Sequence, residues 1–525
     1  MGRARGARRN RAGWWAACLV LLAPRAAAAA PDVYLPVGDP LESELRILDL
    51  TDPLAGPARL LLPHLHSRPL QWRELQGPGA PGESAGVARA ISLTRIERAL
   101  QRNALPEFAP HPRERSTPWL WRSGESGESA ELSAGLEGRG EVDRDDPRFA
   151  SGSGAQARVA LAFEHWLAFS HVLIGQVNDA RRFADPIFPG TDVIAHTEDT
   201  YLAYTAGSGR WGARLGRSRW HWGPGEEASL ALSRTSPAFT GLALRARLEP
   251  VRADLVTLSG TLDLAAGEQL AAHRLEWQPV GRLRVGLTET ARYHAAGWQP
   301  LYLVGLVPYV LVQRLHQQES PDSIEAVRNN VMVSADAAWR PVTGTRLYGE
   351  LLIDDLHAKS GITPNKYAFQ LGWEGVGTIG RTRLAWGGEF TRLARFVYTS
   401  SFGRVYQAQG EPIGFPTGPD ARRLRLRGAW DLGPDWQLLG LVTRTDKGEN
   451  RLGEPFIQGS PVPDPRSFEG VVERTRAAEL GVRWWPASGV DLAARVGYAW
   501  TENDAHVADA DRETATGALE LRLTR

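Results

Sequence analysis

The chain has 525 residues, 61 Lys+Arg against 60 Asp+Glu, 42% hydrophobic residues, 55 Gly, 35 Pro and one Cys. This composition excludes wholesale disorder and collagen-like repeats, and the near-even charge balance excludes a basic nucleic-acid binder. Mean hydropathy is −0.30 and no apolar run of about 18 residues follows the N-terminus, so helical spans are excluded; a soluble multidomain protein or a β-barrel remains, because a barrel's apolar residues alternate with polar ones.

Arg3, Arg5, Arg8, Arg9 and Arg11 precede a short apolar core, Trp14 to Ala23, and small residues at Ala26 to Ala30. This order predicts a secretory signal peptide over residues 1–30; ten apolar residues do not cross ~30 Å of hydrocarbon. Cleavage near Ala30 removes six arginines and no acid, leaving 55 basic against 60 acidic side chains, a net of about −5. It also removes Cys18, the only cysteine, and with it any disulfide, thiolate nucleophile or Cys metal site.

Residues 31–128 predict a small helical bundle and a linker. Leu41, Leu45 and Leu48 share one helical face, as do Leu93, Ile96 and Leu100. Thr94 and Glu97 have capping-box spacing, and Arg68-Pro69-Leu70 reads as the start of another short helix. Pro106 to Pro118 reads as a linker, and Ser123 to Glu128 as a Gly/Ser/Glu turn.

From residue 129 to 525 the period changes to two. Leu283, Val285 and Leu287 alternate with Arg282, Arg284 and Gly286; Val331, Val333, Ala335, Ala337 and Trp339 share one face. Leu424 and Leu426 alternate with Arg423, Arg425 and Arg427, and Leu519, Leu521 and Leu523 with Glu520, Arg522 and Thr524. Turn signals such as GPGEE, GPDW and PASG separate the runs, at about one segment per ~20–25 residues, the cadence of barrel strands. Several of the 19 Trp lie near strand ends (Trp211, Trp220, Trp222, Trp430, Trp436, Trp484, Trp485, Trp500), as in interfacial girdles. The polar face is Arg-rich, with Lys only at 359, 366 and 447. A sheet spanning lipid must close, since each unpaired backbone group there costs several kcal/mol.

Chemistry-bearing patterns are few. Gly375, Gly377 and Gly380 match G-x-G-x-x-G, but strand alternation follows where a dinucleotide site needs a helix, so a hairpin turn is expected. Asp354-Asp355 read as a solvated or Arg-paired strand end, and Asp504, His506, Asp509 and Asp511 as a solvated loop without the EF-hand glycine and terminal Glu. No G-x-S-x-G stands out for a lipase. No cofactor or metal is expected. Trp220, His221 and Trp222 are either an aromatic platform for a sugar ring or a structural pair before a tight turn set by Gly223, Pro224 and Gly225. Arg217 and Arg219 are expected to share a strand face; if luminal, they add to a positive interior suited to acidic glycans.

Trp211 to Phe239 reads WGARLGRSRWHWGPGEEASLALSRTSPAF. Its LGR with Gly216, its WGPG and the Ser-ended strand after it resemble the signature of the capsule-assembly outer-membrane family, the Wzi-type proteins. The resemblance continues in order through residues 273–293, 329–355 (with Asp354-Asp355), 389–402 and 410–426. The N-terminal VYLPVGDPLESELRILDL and RPLQWREL resemble the family's periplasmic helical part.

The resemblance implies an all-β membrane barrel of about 18 antiparallel strands with a small N-terminal α-helical bundle in the periplasm. It implies a non-catalytic, lectin-like role in binding and organising capsular or other exopolysaccharide at the cell surface. The expected partners are surface polysaccharide, outer-membrane lipid and the barrel-insertion machinery, with no nucleic acid. The alternative is a porin-like passive channel, because such a barrel is wide enough for a lumen.

Overall fold

A computed structural model describes residues 33–52, 65–71, 86–103, 119–125, 128–143, 150–177, 191–206, 209–319, 329–355, 363–400, 404–487 and 489–524. The signal segment and the linker at 106–118 lie outside these residues.

Eighteen antiparallel strands close into one barrel. They are β1 (Glu128–Asp143), β2 (Ala150–Phe163), β3 (Trp166–Val177), β4 (Val193–Ala206), β5 (Trp211–Ser218) and β6 (Phe239–Leu248). Next come β7 (Ala253–Asp263), β8 (Glu268–Val280), β9 (Leu283–His294), β10 (Asn330–Trp339), β11 (Thr345–Asp355) and β12 (Lys366–Ile379). The last six are β13 (Thr382–Leu393), β14 (Ala421–Asp431), β15 (Trp436–Lys447), β16 (Glu473–Ala487), β17 (Val490–Glu502) and β18 (Arg512–Thr524). The seam joins β18 to β1, Thr516–Thr524 against Gly135–Asp143. Beyond it, a strand at Trp119–Glu125 pairs with Glu128–Ser133, so the stretch expected to be a flexible turn is partly strand. Closure leaves the wall no free edge.

Period two becomes an inside-out distribution of polarity. Arg284, Gly286 and Thr288 of β9 face inward and are buried, while Leu287 faces outward at 52% exposed. Leu424 and Leu426 point outward between inward Arg423, Arg425 and Arg427. Leu480, Val496 and Leu519 continue the outer apolar belt, Leu480 at 67% exposed. So large an apolar surface around a polar interior is that of a barrel in lipid.

One end has short turns, as at 379–382 and 431–436; the other carries the long connections 218–239, 294–330, 393–421 and 447–473. Trp166, Trp211, Trp277, Trp339, Trp430 and Trp436 are exposed around the short-turn end. Trp436 stacks on Trp484 across the strands at 5.0 Å. Trp500 lies outward near the long-loop end. Trp220 and Trp222 are not in a girdle: they are buried inside the barrel. Trp485 takes the Arg95 guanidinium over its ring at 4.4 Å.

Two N-terminal helices, α1 (Leu41–Thr51) and α2 (Val87–Asn103), fill the mouth at the short-turn end. The α2 residue Arg95 donates to the carbonyls of Pro434 (2.9 Å) and Gly433 (3.2 Å), and Gly344 donates to Leu50 O of α1 at 2.7 Å. Leu45, Leu48, Leu93 and Ile96 are buried together, as their spacing predicts. Two local expectations fail. The second helix begins seven residues before Thr94, whose hydroxyl bonds back to Ala90 O at 2.9 Å rather than capping. Ser67–Arg68 is a two-residue strand paired with His221–Trp222, not the start of a helix.

Candidate functional site

The interior is occupied by the chain itself. The connection from β5 to β6 turns into the lumen instead of outward. Trp222 donates to Leu232 O (2.8 Å) and Ser233 to Ile413 O (2.9 Å). Two wall carboxylates hold its backbone. Glu350 of β11 accepts from Leu230 N (3.1 Å), Ala231 N (3.3 Å), Ser229 Oγ (3.1 Å) and Ser334 Oγ (2.9 Å). Glu389 of β13 accepts from Glu226 N (2.7 Å), Glu227 N (3.3 Å) and Tyr348 Oη (2.8 Å). A buried loop must satisfy its amides, and these acids do so. Gly225 permits the approach: a Cβ there would lie 2.0 Å from Ala228 O and 2.5 Å from Gln370 Oε1.

A second connection, 393–421, caps the first. Tyr398 Oη donates to Leu230 O at 2.6 Å and Tyr406 Oη to Ala231 O at 2.8 Å. Asp354 accepts from Tyr398 N at 2.7 Å, and Asp355 pairs with Lys366 at 2.7 Å. The paired aspartates therefore pin this cap at the strand end, with lysine rather than arginine as the partner.

Several luminal arginines are matched to acids. Glu374 takes Arg46 of α1 at 2.6 Å, Arg427 at 2.9 Å, and Arg346. Arg425 meets Glu226 (2.8 Å), Arg423 meets Glu227 (2.6 Å), and Arg274 forks onto Asp336 at 2.6 and 3.1 Å. Glu44 of α1 receives Arg95 (2.5 Å) and Arg383 (2.8 Å), and Arg383 also reaches Asp431 at 2.7 Å. Burial alone would raise the Glu44 carboxyl, but Arg383 and Arg95 outweigh it and hold its pKa at about 2. Burial likewise opposes Arg427 and Arg425 at Glu226, and the arginines win, holding its carboxyl below the usual range. Among the described residues these ion pairs neutralise the arginines they involve and lock the plug to the wall.

The sequence-predicted binding residues fall into this packing. His221 is fully buried: Nε2 donates to Gly225 O (3.1 Å) and Nδ1 accepts from Arg234 N (3.4 Å). Burial, then Arg68 and Arg234, push its pKa well down, consistent with this neutral tautomer. Trp222 has no exposed surface and Trp220 almost none, so neither presents a face to a sugar in this state. Both line a cavity of about 40 Å³ with Tyr34, Arg214, Arg245 and Val256, room for about one water. Arg217 and Arg219 do not share a face. Arg217 has the outward register of Leu215 and donates to Thr197 O at 3.0 Å; Arg219 lies beyond the strand and donates to Arg234 O at 3.2 Å. The inward arginine of β5 is Arg214, over the Tyr201 ring at 4.0 Å. Gly216 sits where a Cβ would meet Thr200 O at 2.1 Å, and Gly223 where one would meet Ser229 Oγ at 2.5 Å. Pro224 lies between the close-packed Gly223 and Gly225. Of the glycines expected in a hairpin turn, only Gly380 is in it; Gly375 and Gly377 lie within strand β12. Asp504–His506 form a short 3-10 turn, and no acid/His cluster suited to a metal occurs among the described residues.

The family profile described as capsule assembly protein Wzi matches residues 125–516. The chain belongs to the Wzi family. No curated protein matches the sequence. Among solved structures it is similar to Wzi of Escherichia coli, an outer-membrane carbohydrate-binding β-barrel involved in group 1 capsule assembly. That match has 15% identity and a TM-score of 0.62, covering 93% of this chain and 98% of that one. OccK5 of Pseudomonas aeruginosa matches at 12% identity and TM-score 0.44, covering 75% and 97%. OpdK of the same organism matches at 12% and 0.42, covering 75% and 98%. The Wzi fold thus extends to this chain, with the barrel strand number that the resemblance implied.

The sequence reading missed Glu350, Glu374 and Glu389. Each sits at an inward position of an apolar-out strand (YGELL, GWEGV, GGEFT), a signal that isolated acids there need partners inside.

Proposed function

We propose that this chain binds and organises capsular or other exopolysaccharide at the cell surface as a non-catalytic, lectin-like outer-membrane barrel. Family membership supports the reading, and one observation carries it against a passive channel. The lumen is crossed by two inward-folded connections and the N-terminal segment, each held by buried ion pairs or wall carboxylates. Among the described residues these elements cross the lumen, which favours the long-loop end over a through-channel as the working face. Short turns of outer-membrane barrels lie on the periplasmic side, which supports a periplasmic position for α1 and α2. Residues 1–30 act as the export signal, and α1 and α2 form the periplasmic part, while Ser67–Arg68 enter the lumen and Trp119–Glu125 join the wall. Outer-membrane lipid and the insertion machinery are the further partners. Trp220, His221 and Trp222 serve this reading by fixing the plug beneath the loops, and Arg219 by bonding back onto the same loop.

Deletion of the chain in its own cells tests the proposal. The expected result is surface polysaccharide lost from cells and recovered in the medium at unchanged total amount. Unchanged retention on cells would overturn it.

A further inference from the structure

The connection from β9 to β10 contains two helices, α3 (Pro300–Val304) and α4 (Tyr309–Glu319), and they do not sit in the lumen. They pack on the outside of the wall. In β9 the outward residues Leu283, Val285 and Leu287 are followed, toward the long-loop end, by Glu289, Ala291 and Tyr293, all buried. In β8 the outward Leu275 and Trp277 are likewise followed by half-buried His273 and buried Ala271 and Gln269. The cover is the helical hairpin: Tyr302 stacks on Tyr293 at 4.4 Å, Tyr309 packs on His273 at 4.4 Å, and Val312 joins Ala271 and Ala291.

The stretch PLYLVGLVPYVLV, residues 300–312, carries no charge. Its turn reaches furthest down the wall: a Cβ on Gly305 would meet Thr257 Cγ2 at 2.7 Å, in the same row as His273 and Glu289. The outer surface of the hairpin is Val304, Leu306, Val310, Leu311 and Leu315, with Leu306 at 68% exposed. Charge and polarity return at Arg314, Gln317, Gln318 and Glu319, all exposed. A helix start at hydrocarbon depth needs its free amides satisfied. Glu289 does this, accepting from Tyr309 N (2.8 Å) and Val310 N (3.2 Å) and pairing with His273 at 3.2 Å. Without the hairpin, Glu289, His273 and Gln269 would themselves face acyl chains.

We propose that residues 300–315 form a re-entrant hairpin immersed in the outer leaflet. The occupant of its exposed face is the acyl-chain layer, and the polar end of α4 rises to the headgroups. The apolar face is continuous with the lipid-facing belt at Leu275, Leu287 and Trp339, and helices of this composition partition into the interface. The inference rests on the membrane-barrel reading.

The test is nitroxide labelling of the full chain in lipid vesicles, using Leu311→Cys, Leu315→Cys, Leu287→Cys and Gln318→Cys, each with Cys18→Ser. Labels at 311 and 315 are expected to be quenched by oxygen and shielded from a water-soluble nickel chelate, as at 287, with the reverse at 318. If 287 behaves so but 311 and 315 are open to the chelate, the hairpin stands in water and the proposal fails alone. Shielding of 311 and 315 from both reagents would also overturn it, since protein rather than lipid then covers the face. If 287 too is open to the chelate, the membrane-barrel reading falls with it.

Discussion

Glu374 of β12 receives Arg46 of α1 from 328 residues away, through Nε at 2.9 Å and Nη2 at 2.6 Å. This pair ties the N-terminal helix to the wall, and Arg346 and Arg427 share the same carboxylate. The arrangement is asymmetric. Arg46→Met leaves Glu374 with two guanidinium partners, whereas Glu374→Gln takes the carboxylate from buried Arg46 and one of two from Arg346 and Arg427, which keep Asp49 and Glu226. Breaking a buried pair from one side costs about 3–5 kcal/mol. Glu374→Gln is predicted to lower the unfolding midpoint in detergent more than Arg46→Met does. Equal or reversed losses would contradict this assignment of charge.

Glu44 makes plug docking acid-sensitive. Its folded pKa, about 2, lies below the ordinary 4.5. A depressed carboxyl contributes stability that is complete above the ordinary value and is lost as pH falls through the folded one. Between about pH 4.5 and pH 2, α1 should therefore become progressively cleavable by pepsin. Glu44→Gln, already loosened, should show a flatter dependence across that window. A wild-type profile without such a trend would sink the claim.

The cap over the plug depends on two phenols. Tyr398→Phe and Tyr406→Phe each remove one buried hydrogen bond, to Leu230 O or Ala231 O, at a cost of about 1 kcal/mol. The double variant is predicted to raise amide exchange at residues 229–233 without changing exchange in β8 or β9. A global increase would mean that the cap supports the wall itself.

The outward register of β14 predicts a split between neighbours. Leu426→Lys puts a charge on the lipid face, costing about 2–4 kcal/mol near the bilayer centre. Arg425→Lys keeps a cation beside Glu226 and should cost less. Urea unfolding from vesicles measures both, and a harmless Leu426→Lys would place that face away from acyl chains.

The wall was legible in the sequence because period two is local: Leu283, Val285 and Leu287 declare a face without reference to any other strand. The plug was not, because its determinants are distant. Whether Trp220 to Gly225 turns outward or inward is decided by Glu350 and Glu389, more than 120 residues later. An aromatic pair on an exposed loop and one in a core have the same local sequence. The alternation of Arg423, Arg425 and Arg427 showed a polar face correctly. Their neutralisation by Glu226, Glu227 and Glu374 required the fold. The external hairpin at 300–319 escaped because its helices are short and interrupt a run of strands, although thirteen uncharged residues stand in it.

The most direct test of a barrel filled by its own chain is current through the intact, full-length protein in a planar bilayer. The predicted record is silent at ordinary voltages, and steps appear only when the inward connection 219–238 is deleted. Steady ohmic steps from the unmodified protein would contradict a closed interior and restore the channel reading.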